Sequence, residues 1–301
     1  MSGNTGNGRK TRTAAGIEVP GRVSAEEASR FAAAAAEVLR MPPARTRGYA
    51  GIGTLREKRL HMAVKRYLCA DPARQEVPVR ELGEAGTARD RIADIRLPDG
   101  HIYEVQTGGF YPLRRKVGLY MEHTDSRVTV VHPLPYLKYL SWIDPADGQI
   151  LSRRRSPRRA DVRSAAGELY WLADWIGNPR LTVCLLFLEA EEFRMKDGWG
   201  RDGKRGSNRY ECIPTALYGR VDLCTAADYA AYFLPAEPWT RADGRFTAAE
   251  YARATGIRGR ATYGILRILE GLDLIRADGT EGRSRCYRAN TQACQKGERQ
   301  E

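Results

Sequence analysis

Asp94 is followed, after nine intervening residues, by Glu104-Val105-Gln106. Two alternating runs flank the turn sequence Pro98-Asp99-Gly100 between them, so 91–107 reads as a β-hairpin. Ala93, Ile95 and Leu97 form one apolar set, and Tyr103 and Val105 form another. Opposed residues share a face, so a common core requires Ile95 opposite Tyr103. That register sets Asp94 across from Glu104, with Gln106 two residues on along the same face. The loop is then 98–100, with Gly100 free to take positive φ. The face away from the core carries two carboxylates and a carboxamide. Carboxylates so placed repel each other. Mg²⁺, which takes carboxylate, water and substrate-phosphate oxygens, would offset that repulsion. The alternative is a solvated outer face of a two-sided sheet.

The spacing Asp94…Glu104-x-Gln106 resembles the Asp…Glu-x-Lys signature of the PD-(D/E)xK, or restriction-endonuclease-like, nuclease superfamily. The surrounding sequence offers elements to position it. These are a helix at 54–68, strands near 76–82, 91–97 and 101–107, a helix at 111–123 and a buried strand at 127–133. Pro78 confines the first strand to a sheet edge. The superfamily core has the same order of helix, three-stranded meander, helix and strand, and the likeness covers roughly residues 50–135. Ala93 stands where the motif has proline, and Gln106 where it has lysine. Some branches resemble this chain in carrying Glu-x-Gln. The resemblance implies an α/β fold with an αβββαβ core. It also implies Mg²⁺ or Mn²⁺ held by Asp94 and Glu104, with Glu57 completing the metal shell and Gln106 orienting water or phosphate.

Locally, Thr54 and Glu57 read as a capping box, which is the alternative to a metal role for Glu57 and the reading that the local sequence favours. Glu57, His61 and Lys65 fall at i, i+4 and i+8, one polar stripe beside an apolar face. His61 and Lys65 are accessory candidates for phosphodiester chemistry; the alternative is a surface or packing role. Arg114, Arg115 and Lys116 follow the hairpin on the 111–123 helix. Arg114 and Lys116 could hold a phosphate or supply the charge that Gln106 lacks, or could lie on a solvated basic face.

The chain has 301 residues and a net charge of +12, carried mostly by arginine. Such a balance favours a polyanionic partner, nucleic acid first, although a GC-rich genome would inflate arginine independently of function. Six cysteines lack CxxC spacing and read as reduced thiols rather than a zinc site. No apolar run is long enough to span a membrane and no signal-peptide pattern occurs, so a cytoplasmic location is expected.

The length suits two domains. Residues 1–24 read as a disordered basic tail and 25–235 as a nuclease-like α/β domain, opened by a helix at 25–40 with Ser24 as cap. The domain continues with a hairpin of 138–143 and 149–153 and an arginine cluster, Arg153, Arg154, Arg155, Arg158 and Arg159, suited to DNA backbone. A helix at 165–176, a buried strand at 181–188 and a basic Gly-rich loop at 195–209 with Trp199 and Tyr210 follow. Residues 236–290 look like a winged helix-turn-helix domain: a Thr247–Glu250 capping box, a turn at 255–257, a second helix at about 259–270 and a strand-turn-strand over 274–288. In such domains the second helix enters the major groove. Its outward residues would be Arg260, Thr262, Tyr263 and Arg267, with Arg258 ahead of it and Arg283 and Arg285 on the wing. Residues 291–301 read as a polar tail.

The expectation is a metal-dependent DNA endonuclease positioned by a winged helix. The competing class is a non-catalytic DNA-binding regulator or replication and repair factor on a nuclease-like scaffold, and an RNA-processing nuclease is a third. DNA is the expected partner and RNA stays open. No membrane is implied, and the oligomeric state is open, a homodimer included.

Overall fold

The computed structural model describes residues 19–41, 55–196, 198, 209–235 and 239–290. Most of both expected tails, the Thr54–Glu57 cap, Trp199 and the side chain of Tyr210 lie outside them. Helices α1 (Ala25–Arg40) and α2 (Leu55–Leu68) come first. Ser24 caps α1 by accepting from Glu27 N at 3.1 Å. Strands β1 (Gln75–Pro78), β2 (Ile92–Arg96) and β3 (Ile102–Val105) form an antiparallel meander. Helix α3 (Tyr111–His123) crosses over to β4 (Val128–Ile143), which is parallel to β3. Strand β5 (Ile150–Arg155) turns back on the far end of β4. After a short helix, α4 (Ala166–Leu169), come β6 (Leu181–Met195) and β7 (Arg209–Leu223). The result is a mixed sheet ordered β1-β2-β3-β4-β6-β7, with β5 on β4 alone.

Helices cover both faces of this sheet. On one side α1 and α2 pack Phe31, Val64 and Tyr67 against Val105, Val131 and Leu186. On the other, α3 and α4 pack Val117, Tyr120 and Leu169 against Ile102, Val130 and Val183. Burial on both faces explains the apolar run that opens β4. Strand β4 is longer than the expected 127–133. Pro133 and Pro135 come after β3 has ended, so that side of the ladder loses no donor, and the pairing with β6 shifts after Pro135.

The expected helix at 165–176 is instead a 3₁₀ turn, α4 and a second 3₁₀ turn at Tyr170–Leu172. Tyr170 there lies against Gly264, Trp171 against Tyr111 and Trp175 against Gly118. Residues 19–23, expected within the disordered tail, lie on β7: Arg22 bridges Gly219, and Val23 N donates to Tyr218 O at 3.2 Å.

The C-terminal part runs α5 (Ala226–Phe233), β8 (Arg245–Thr247), α6 (Ala248–Thr255), α7 (Arg260–Gly271), β9 (Ile275–Glu281) and β10 (Ser284–Ala289). Thr247 and Glu250 form the expected capping box. The three strands make a second small sheet, β8-β10-β9. Its core is continuous with that of the α/β part through Tyr251, Ile265 and Leu269. Gly264 of α7 lies against Tyr170, where an added Cβ would come to 2.9 Å. Among the described residues no helix is long and apolar enough to cross a membrane.

Candidate active site

The β2–β3 hairpin has the register its apolar pattern demands, Ile95 opposite Tyr103, and Gly100 takes φ +81° in the turn. The ladder ends at that pair. Continued by one hydrogen-bonded step, it would send Val105 N to Ala93. Instead Val105 N donates to Asp94 Oδ2 at 2.7 Å. A side chain has replaced a strand partner, and the strands fork. A cavity of about 820 Å³ opens there, walled by His61 and Lys65 of α2, Glu76 of β1, Asp94, Glu104 and Lys116 of α3.

Asp94 Oδ2 also meets His61 Nε2 at 3.1 Å. Burial opposes its ionisation, but the bond to His61, the charge of Lys116 and the Val105 amide outweigh that, holding the carboxyl below its ordinary range. Glu104 is only 3 % exposed. Tyr120 Oη donates to its Oε1 at 2.9 Å and Lys116 Nζ to its Oε2 at 2.7 Å. Burial raises its pKa, Lys116 offsets part of the rise and Asp94 adds to it, leaving Glu104 at about 7. One carboxylate is thus ionised at neutral pH while its neighbour exchanges a proton there, a separation of roles used for acid–base work. The alternative reading, a solvated outer face, does not hold for Glu104: with helices on both sides of the sheet, it lies buried beneath α3.

The helical stripe brings His61 and Lys65 to the same wall. Lys65, 6 % exposed, pairs with Glu76. Glu76 adopts φ +54°, a conformation non-glycine residues avoid, and this sets its carboxylate at the pocket wall. Gln106 Nε2 donates to Gly109 O at 2.6 Å, and its backbone N donates to Val131 O at 2.8 Å. Glu57 lies on α2, but its side chain is outside the described residues. Arg114 does not join the pocket. It lies on the other side of α3, paired with Asp174 at 2.8 Å, because α3 turns Lys116 and Arg114 to opposite flanks. Sequence reasoning missed Glu76, since positive φ at a non-glycine leaves no sequence signature. It also missed Tyr120, whose signal was its i+4 spacing from Lys116 on one helix face.

Asp94 and Glu104 supply oxygen donors to one polar pocket. Among the described residues no third His, Cys, Asp or Glu joins them in a metal-binding group. Two carboxylates completed by water and a phosphate match the habit of Mg²⁺.

The other expected contacts are scattered. Arg153, Arg154 and Arg155 lie on β5 rather than in a loop, roughly 25–35 Å along β4 from the hairpin. Arg153 lies over the Tyr139 ring at 3.8 Å and pairs with Glu191 at 3.0 Å. Arg158 and Arg159 follow, with Arg159 on Tyr136. On α7, Arg260, Tyr263 and Arg267 form an exposed line, and Arg258 and Arg283 are exposed nearby. Arg285 pairs with Glu270 at 2.7 Å. Thr262, expected to face outward, is buried, its hydroxyl donating to Ile257 O at 2.9 Å. It closes the turn before the helix instead.

A family model described as Domain of unknown function (DUF8091) matches residues 58–224, more than half of the chain. The match runs from α2 to the end of β7 and includes every pocket residue named above. An uncharacterized protein of Treponema pallidum (strain Nichols) is 30% identical over 150 residues, which is 50% of this chain and 55% of that protein. The chain thus spans about half the length of this curated relative. No solved structure matches.

Proposed function

We propose that this chain, which belongs to the DUF8091 family, is a metal-dependent DNA endonuclease. Its core would be restriction-endonuclease-like, with α2, β1, β2, β3, α3 and β4 as the αβββαβ unit, and a winged helix formed from β8 to β10. One observation carries the reading: the fork between β2 and β3 gathers Asp94, Glu104 and Lys116 in one polar pocket. Mg²⁺ or Mn²⁺ held by Asp94 and Glu104 would supply Lewis-acid polarisation of the phosphoryl oxygen and an acidified water. Lys116 stands beside Glu104 as the cation that Gln106 cannot be. Gln106 has its amide nitrogen committed to Gly109, leaving its carbonyl oxygen to orient water. His61 fixes the Asp94 carboxylate. The exposed arginines of α7 and β5 would grip phosphates, making affinity steeply salt-dependent.

A specific observation also favours the non-catalytic reading. Lys116 and Tyr120 engage both oxygens of Glu104, and His61 engages Asp94, so carboxylate repulsion is offset without an ion. The deciding experiment is Mg²⁺- or Mn²⁺-dependent cleavage of duplex, single-stranded and branched DNA, with RNA alongside, by the wild type and an Asp94→Asn, Glu104→Gln double variant. Metal-dependent cleavage of DNA that the variant lacks is the expected result. Undiminished DNA binding by both proteins with no cleavage refutes the nuclease, and cleavage of RNA alone refutes the DNA assignment.

A further inference from the structure

We propose that the groove on the outer flank of α3 holds an unpaired nucleotide of the DNA strand whose backbone enters the pocket at Asp94 and Glu104. This deepens the nuclease reading, on which the strand's path rests, and names DNA with a single-stranded segment as the substrate class.

The groove has a volume of about 510 Å³ and shares Pro112 with the larger pocket. One strand can therefore pass from pocket to groove over the first turn of α3. Tyr111 stands at its edge, 66 % exposed. The ring packs edge-on against Trp171 at 4.9 Å, and Trp171 packs against Tyr170 at 5.3 Å. It is braced without being covered. Trp175 lies on Gly118, where an added Cβ would approach its ring to 2.8 Å. The glycine thus lets an indole pack tightly against α3 inside the groove. Arg114 and Arg115 line the same groove, their side chains half exposed or more, with Asp174 at 2.8 Å from Arg114 and Asp90 at 3.7 Å from Arg115.

Aromatic faces among guanidiniums suit a single strand, because every base offers a π-face for stacking while phosphates track the cations. A duplex hides its base faces and would use only the arginines. The exposed Tyr111 ring therefore favours an unpaired nucleotide over a continuous duplex.

The test is binding in EDTA by fluorescence anisotropy, with a short labelled single-stranded oligothymidylate and a blunt duplex of equal length. The proteins are the wild type, Tyr111→Ala and Tyr111→Phe. Tyr111→Ala should weaken single-strand binding about tenfold and leave duplex binding unchanged, while Tyr111→Phe, which keeps the ring, should bind like the wild type. The proposal is overturned if Tyr111→Ala binds the single strand normally, if it loses strand and duplex equally, or if the wild type does not bind the oligothymidylate. Circular dichroism of Tyr111→Ala confirms that any loss is local. Because the assay reads binding without metal, a protein that cleaves nothing can pass it, and an active nuclease can fail it.

Discussion

Replacing Glu104 with glutamine tests the electrostatics of the pocket without emptying it. The amide is nearly isosteric and can still accept from Lys116 and donate to Tyr120, so only the charge is removed. In the folded protein burial raises the Glu104 carboxyl from an ordinary 4.5 to about 7. A raised carboxyl binds its proton more tightly folded than unfolded. Its contribution to stability is therefore undiminished below pH 4.5, falls between 4.5 and about 7, and is lost above that. At about 1.4 kcal/mol per tenfold change in proton affinity, ionised Glu104 costs the fold about 3 kcal/mol. Most of that should accumulate between about pH 5 and pH 8. Urea titrations of wild type and Glu104→Gln in EDTA across that range give the comparison directly. The variant should become progressively more stable than the wild type as pH rises. Parallel stability profiles would show that Glu104 ionises freely, and the account of a buried, proton-exchanging carboxyl would be wrong.

Four further outcomes follow from the same contacts. Lys116→Met leaves Glu104 beside Asp94 without its cation and should cost about 3 kcal/mol at pH 8 but little at pH 5, read by the same titration. Millimolar Mg²⁺ should raise the thermal midpoint of the wild type at pH 8 and leave the Asp94→Asn, Glu104→Gln double variant unmoved, because only the ionised pair binds the ion. Gly264→Ala should destabilise by about 1–3 kcal/mol through the clash with Tyr170, although alanine is ordinarily the better helix residue; a raised melting temperature would refute the docking of α7 on that ring. Asp174 lies between Arg114 and Arg267, at 2.8 Å from the former. Asp174→Ala should release both guanidiniums and tighten DNA binding several-fold at low salt, with the gain vanishing at high salt.

The hairpin was legible because its information is local. Alternation fixed Ile95 against Tyr103, and the Pro-Asp-Gly turn fixed the loop. The bounds of α1 and α3 were readable for the same reason, from capping and helical period. What escaped the sequence depends on layers that meet only in the folded chain. Glu104 reads as solvated until α3 is laid over it. Glu76 reads as an edge-strand residue until Lys65 holds its unusual backbone in place. Thr262 lies on an apparently outward helical position, and only the tight turn at Ile257 calls its hydroxyl inward. Strand β7 and helix α5 carried no isolated signal, since their pairing partners lie far away in the chain.

The hairpin also dictates how its site can be lost or recognised in relatives. Side chains alternate along a strand, so one residue inserted between Asp94 and Leu97, or between His101 and Glu104, turns a carboxylate away from the pocket. Every site residue would still be present, yet the pair would no longer meet. A residue added within 98–100 only lengthens the loop. The nine-residue gap therefore has two rigid margins and an elastic centre. In a distant sequence, parity on either side of the turn reports an intact site better than the identity of the acids does.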